Sequence, residues 1–253
     1  MTRPTTVRVV RRGPASWAQI EAPRGNACGP AELDALADWL ASAPAENGVR
    51  ALVLTGTADA FCSGADVAAA ASMLGDEQAV LAFVRRGREL AAALAAAAVP
   101  TVAAVNGVAF AGGLELVLAC DFAIASSTAT FGDRHVRYGI VPGWGASARL
   151  PRAIGTRAAT LLLTTGRDIS AGELERLGGL TAVVEPERLE AAVDELVEEL
   201  ARVPASAQRR ALALARASMA RPLDEALDAE WEALREQLAD PELHAGVRRF
   251  LGA

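Results

Sequence analysis

The chain has 253 residues, of which 52% are hydrophobic, and carries a net charge of −6 with a pI near 5.1. That is enough apolar material for one substantial core, and an acidic chain with no basic face is a poor partner for nucleic acid. There is no lysine: all 25 Lys+Arg positions are arginine, which excludes a Walker A loop, a Schiff-base lysine and a pyridoxal phosphate anchor.

The elements follow in chain order. Val7–Val10 and Ser16–Ile20 read as short strands, and Pro30–Ala43 as a helix with Leu33, Leu36, Ala37 and Leu40 on one face. Arg50–Gly56 is a buried strand ending at glycine. Asp76–Ala98 is a long helical stretch stopped by Pro100, and Thr101–Gly107 a second buried strand. Leu114–Ala119 is helical and Phe122–Ala125 is a third buried strand. Beyond about Arg149 helices dominate: Arg157–Thr165, Ala171–Leu177, Pro186–Val203, Ala205–Ala220, Leu223–Leu238 and Pro241–Leu251, with one strand at Ala182–Val184. Alternating strands and helices, then helices alone, predict an α/β core with parallel pairing and a helical C-terminal region.

Several chemistries drop out. Cys28, Cys62 and Cys120 are an odd set at wide spacing, as in a reduced compartment without a disulfide frame. The two histidines, His135 and His244, lie far apart with no ligand-spaced neighbour, so no zinc site is expected. The N-terminal stretch lacks an apolar signal core, and the longest apolar run, Leu90–Val105, is broken by Pro100; neither a membrane span nor export is expected, and the protein is expected to be cytoplasmic. No G-x-S-x-G elbow or G-x-G-x-x-G fingerprint occurs.

Two turns stand out. "FCSGAD" (Phe61–Asp66) and "FAGGLE" (Phe110–Glu115) each place small residues where a helix should begin after a buried strand. Such residues leave backbone N–H groups unshielded, and helix starts favour negative charge. Two such donors converging would form an oxyanion hole for an enolate or a tetrahedral intermediate of a thioester. The alternative is that the glycines only permit close helix–strand packing.

Four blocks in order carry a resemblance: "AFCSGAD" (Ala60–Asp66), Pro100–Ser126, "FGDRHVRYGIVPGWGASARLPRAIG" (Phe131–Gly155) and Leu161–Val184. Over nearly its whole length the chain resembles the crotonase superfamily, also called the enoyl-CoA hydratase/isomerase family. The resemblance implies a crotonase-like spiral of repeated ββα units (residues 1–195) with a helical C-terminal oligomerisation region (196–253). It implies a homotrimer or a dimer of trimers. It places the oxyanion donors at Ala65 and Gly112, and the first catalytic glutamate at Glu115. Ser63, Ala65, Asp66 and Val67 fall where the family lines its pantetheine and adenine groove. Arg24, in "APRGNA", lies near a basic residue that meets CoA phosphates in relatives, although the motif here is one residue short. Trp144, in "PGWG", is either a wall of the acyl pocket or a packed aromatic.

One position departs from the pattern. Hydratases carry a second glutamate in F-G-x-x-E, and this chain has Phe131-Gly132-Asp133-Arg134-His135. Histidine replaces the carboxylate, and Asp133 is two residues out of register. His135 is either a packing residue or an acid, or a donor that orients water; an ordinary histidine pKa of about 6.5 suits proton transfer near neutrality. The expected reaction is addition of water to a 2-enoyl-CoA, with no metal and no cofactor beyond the CoA of the substrate. Double-bond isomerisation, decarboxylation, C–C hydrolysis and non-catalytic acyl-CoA binding are the alternatives.

Overall fold

The computed structural model describes residues 7–251. Its N-terminal part is built from one motif used three times. A strand enters a large sheet, the chain turns within a few residues into a short strand of a second sheet, and a helix or loop returns it to the first. β3 (Ala51–Gly56), β5 (Thr101–Val105) and β7 (Phe122–Ser126) are the long strands, and β4 (Ala60–Cys62), β6 (Val108–Phe110) and β8 (Thr130–Gly132) are their short successors. With β1 (Val7–Arg12), β2 (Ala15–Ile20) and β10 (Ala182–Val184) the large sheet has the order β1-β2-β3-β5-β7-β10. The small sheet has the order β4-β6-β8-β9, where β9 is Ile169–Ser170. Pairing is parallel except at β1–β2 and β8–β9. Both β3 and β5 are buried along their full length, which is why they read as continuous apolar runs.

The helices sort by the face they cover. α2 (Pro30–Ser42) and α4 (Glu77–Ala95) pack on one side with Leu33, Leu36, Phe83, Leu90 and Leu94 buried; α1 (Pro23–Asn26) and α3 (Val67–Ala71) are single turns near the site. α5 (Gly112–Val117) is the central helix, and all six of its residues are buried. α6 (Ala146–Ile154), α7 (Thr156–Thr165) and α8 (Ala171–Arg176) complete that layer. α9 (Leu189–Arg202) covers the opposite face of the large sheet through Leu189, Val193 and Val197, against Trp17, Val53 and Val102.

Residue 195 lies inside α9, which packs on the core, and three further helices follow it among the described residues. They are α10 (Ala205–Ser218), α11 (Leu223–Gln237) and α12 (Pro241–Leu251). Arg216 ties α10 down: its guanidinium donates to both oxygens of Asp121 at 2.7 and 2.6 Å and to the Ala97 carbonyl at 2.7 Å. α11 has no buried residue, and Leu223, Leu227, Trp231, Leu234 and Leu238 form an exposed row along it. No described helix is long and apolar enough to cross a membrane.

Candidate active site

The first turn follows β4. Gly64 has φ +108°, and Asp66 caps α3 by accepting from Ala68 N (2.9 Å) and Ala69 N (3.2 Å). The turn is zipped to the segment before α2: Ser63 N donates to Gly25 O, Cys28 N to Gly64 O and Asp66 N to Cys28 O, at 2.8, 2.8 and 2.9 Å. Arg24 reaches Asp66 at 2.5 Å, and Ser63 Oγ donates to the Arg24 carbonyl at 2.7 Å. Backbone donors on α3 and the Arg24 charge hold the Asp66 carboxyl below its ordinary pKa despite desolvation. Asp66 and Arg24 thus brace each other at the mouth of the site.

The second turn follows β6. Ala111 has φ +48°, a strained conformation for an alanine, fixed by its N–H donating to Gly132 O at 2.8 Å. The kink starts α5 abruptly and leaves the N–H of Gly112 without a helical acceptor. The two turns meet: a Cβ added to Gly64 would lie 3.1 Å from Gly112 N. Among the described residues no hydrogen-bond acceptor takes the N–H of Ala65 or of Gly112.

Glu115 projects from the first turn of α5 and is 1% exposed. Its Oε1 accepts from Trp144 N at 2.7 Å and Ala146 N at 2.9 Å, in a loop that Gly145 (φ +125°) bends around it. Its Oε2 lies 3.8 Å from His135 Nε2. Burial raises the Glu115 pKa, and the neighbouring N–H groups and the His135 charge only partly oppose it.

His135 opens a single 3-10 turn (His135–Tyr138) behind Arg134, whose φ of +55° folds the chain back on itself. That fold brings His135 Nδ1 to 3.0 Å from Asp133 Oδ1. Asp133 is 0% exposed, and its Oδ2 has no hydrogen-bond partner. Burial alone would lower the His135 pKa, but the Asp133 hydrogen bond and charge and the Glu115 charge reverse this and leave it raised. Arg134 is held apart by a two-pronged bond to Asp168 at 2.8 and 2.6 Å, and its guanidinium lies over the Phe110 ring.

A cleft of about 310 Å³ opens here, with Arg24, Ser63, Ala65, Val67 and His135 in its lining. Ala111 and His135 also face the cleft, whereas Gly112 and Glu115 are buried and do not line it; Glu115 meets the lining through His135, 3.8 Å away. Trp144 is not on the cleft wall. It is 4% exposed and packs behind Gly112, where a Cβ on Gly112 would come 2.4 Å from its Cζ3. Its other side faces a separate groove of about 590 Å³ lined also by Arg88, Arg149 and Arg152. Among the described residues there is no cluster able to hold a metal ion.

Three features of the site had no role assigned from the sequence. Asp133 was noted only as two residues out of register, because it takes the left-handed Arg134 to bring this i,i+2 pair into contact. The Trp144 and Ala146 N–H groups carry no side-chain signal; the "GWG" spacing was the available hint.

The sequence profile described as enoyl-CoA hydratase/isomerase matches residues 16–252, and the chain belongs to that family, the crotonase superfamily. A crotonyl-CoA hydratase of Syntrophomonas wolfei is 36% identical over 204 residues, covering 80% of this chain and 78% of that protein. The alpha subunit of a fatty acid oxidation complex from Idiomarina loihiensis is 35% identical over 159 residues, which are 63% of this chain but only 22% of the longer protein. The crystal structure of an enoyl-CoA hydratase from Bacillus anthracis superposes with a TM-score of 0.93 at 32% identity, covering 98% of this chain and 96% of that one.

Proposed function

We propose that the protein adds water to a short 2-enoyl-CoA to give the 3-hydroxyacyl-CoA. The observation that carries this is Glu115: one oxygen is held by two backbone N–H groups, and the other is 3.8 Å from His135 Nε2; among the described residues the N–H groups of Ala65 and Gly112, on the two turns that meet, have no acceptor. The similarity to a crotonyl-CoA hydratase supports the reaction type.

In this reading the thioester oxygen sits between Ala65 N–H and Gly112 N–H. Glu115 takes a proton from water as the water oxygen bonds to C3. The C2=C3 electron pair moves to C2, and charge spreads to the thioester oxygen as an enolate. Each oxyanion donor of this kind contributes about 3–4 kcal/mol to the transition state. His135, protonated at Nε2, then delivers its proton to C2. Glu115 has gained a proton and His135 has lost one, and transfer between Oε2 and Nε2 resets the pair. The cycle closes with two side chains and water, so no redox group or metal is required; CoA arrives within the substrate. Arg24, Ser63 and Val67 are assigned to the CoA arm.

Assembly as a trimer or a dimer of trimers is part of the same reading; the exposed apolar row on α11 supports a subunit interface there, without fixing the number of subunits. The test of function is mass spectrometry, with proton NMR to locate the double bond, of a panel of acyl-CoAs after incubation. Hydration adds the mass of one water to crotonyl-CoA. A double-bond shift without mass change, or loss of carbon dioxide from a carboxylated acyl-CoA, would replace this reading with isomerisation or decarboxylation.

A further inference from the structure

We propose that Asp133 is a positioning residue that acts through His135, so that Asp133, His135 and Glu115 together hold the charge and the proton that two carboxylates would share. This rests on the hydration reading for its consequence in turnover, though not for the link between the two residues.

A pair of facing carboxylates works in water addition with one ionised and one protonated, a net charge of −1 and one transferable proton. A neutral histidine in place of the second acid keeps the charge but has no proton to give at Nε2. A protonated histidine facing Glu115 alone has the proton but brings the net charge to zero. Adding the Asp133 carboxylate restores both: Asp⁻, HisH⁺ and Glu⁻ sum to −1 with the proton at Nε2, facing Glu115 Oε2 at 3.8 Å. Asp133 Oδ1 accepts from Nδ1 at 3.0 Å, which fixes the ring orientation and reserves Nε2 for the reacting face.

The surroundings fit this division. Asp133 and Glu115 are the carboxylates within salt-bridge reach of His135. Arg134 and Arg137 are turned away to Asp168. Arg149, on α6, donates to the Trp144 carbonyl at 2.8 Å and interacts electrostatically with Glu115, not with Asp133. No cation therefore competes with His135 for Asp133 among the described residues. A fully buried carboxylate with one oxygen unpartnered is costly to keep for packing alone. Asp133 and Glu115 both favour the imidazolium, and burial is the opposing influence.

Two measurements on the 253-residue chain decide the matter. The first is a pH titration of histidine-labelled protein by nitrogen-15 NMR, simple because the chain has only two histidines, with His244→Gln assigning the signals. His135 is expected to keep its proton on Nδ1 when neutral, and Asp133→Asn to move its titration to lower pH. An unchanged His135 titration in folded Asp133→Asn overturns the proposal. The second is a double-mutant cycle on crotonyl-CoA hydration. Asp133→Asn should lower kcat about 10²–10⁴-fold with little change in KM, and should cost nothing further in a His135→Ala or His135→Glu background. Equal losses in all three backgrounds would show a structural role and overturn it. If Asp133→Asn does not fold, the wild-type spectrum still decides, since a neutral His135 with its proton on Nε2 contradicts the Asp133 link. Failure of every form to hydrate crotonyl-CoA removes the reaction assignment alone; the titration then decides Asp133.

Discussion

Replacing Glu115 with glutamine separates chemistry from structure better than any other substitution at this site. The two backbone donors, Trp144 N at 2.7 Å and Ala146 N at 2.9 Å, demand an acceptor. They will orient the amide with its carbonyl toward them and its NH₂ toward His135. The buried hydrogen bonds survive, and a buried charge is removed. Glu115→Gln should therefore unfold at or above the wild-type temperature. Glu115→Ala, by contrast, strands two buried donors at roughly 1–3 kcal/mol each, a loss of about 2–6 kcal/mol. What glutamine cannot do is accept the proton of water. General bases supply about 10²–10⁴-fold, which at 1.36 kcal/mol per tenfold is roughly 2.7–5.4 kcal/mol of barrier. Steady-state hydration of crotonyl-CoA gives the loss, and calorimetric titration with saturated butyryl-CoA shows whether binding is kept. A folded Glu115→Gln protein with wild-type turnover would refute the assignment of Glu115 as base.

The other predictions concern the pair, the oxyanion turn and the assembly. Activity should follow a bell in pH: it falls on the acid side as Glu115 protonates, above the ordinary 4.5 of a glutamate, and on the alkaline side as His135 loses its proton, above the ordinary 6.5. A pH–rate profile with an acid limb below that ordinary value contradicts the desolvated Glu115. Gly112→Ala puts a Cβ 2.4 Å from Trp144 Cζ3 and should cost about 1–3 kcal/mol in thermal unfolding, part of it recovered by adding Trp144→Leu. No recovery would mean that Trp144 does not set the size limit at residue 112. Trp231→Glu alters a side chain on the exposed row of α11, so the subunit should stay folded while light scattering reports a smaller species. An unchanged mass would move the interface elsewhere.

The long strands were legible because burial on both faces writes continuous apolar runs, as in "ALVLTG" and "TVAAV". Their three-residue partners, Ala60–Cys62, Val108–Phe110 and Thr130–Gly132, are too short for periodicity to register and exist only because the long strands align them. Helix Ala146–Ile154 was hidden by Pro151 inside it and by glycines on both sides. Asp76–Ala98 was read slightly long; the helix runs Glu77–Ala95 with Asp76 as its cap. At the site, Glu115 and the two small-residue turns were readable from spacing and resemblance. Asp133 was not, because its contact with His135 depends on a single left-handed residue, Arg134, that no hydrophobic pattern announces. Trp144 was read as wall or packing, and its burial behind Gly112 favours packing in the folded chain.

The central claim is that Glu115 and His135 add water across an enoyl thioester held by Ala65 and Gly112. Its most direct test is incubation of crotonyl-CoA in heavy water, with wild type and Glu115→Gln side by side, followed by mass spectrometry and proton NMR of the product. The account predicts that the wild-type product is 3-hydroxybutyryl-CoA with one solvent deuterium at C2, and that the variant forms it at least about 10²-fold more slowly. Crotonyl-CoA returned by the wild-type protein with neither hydroxyl nor deuterium would contradict it.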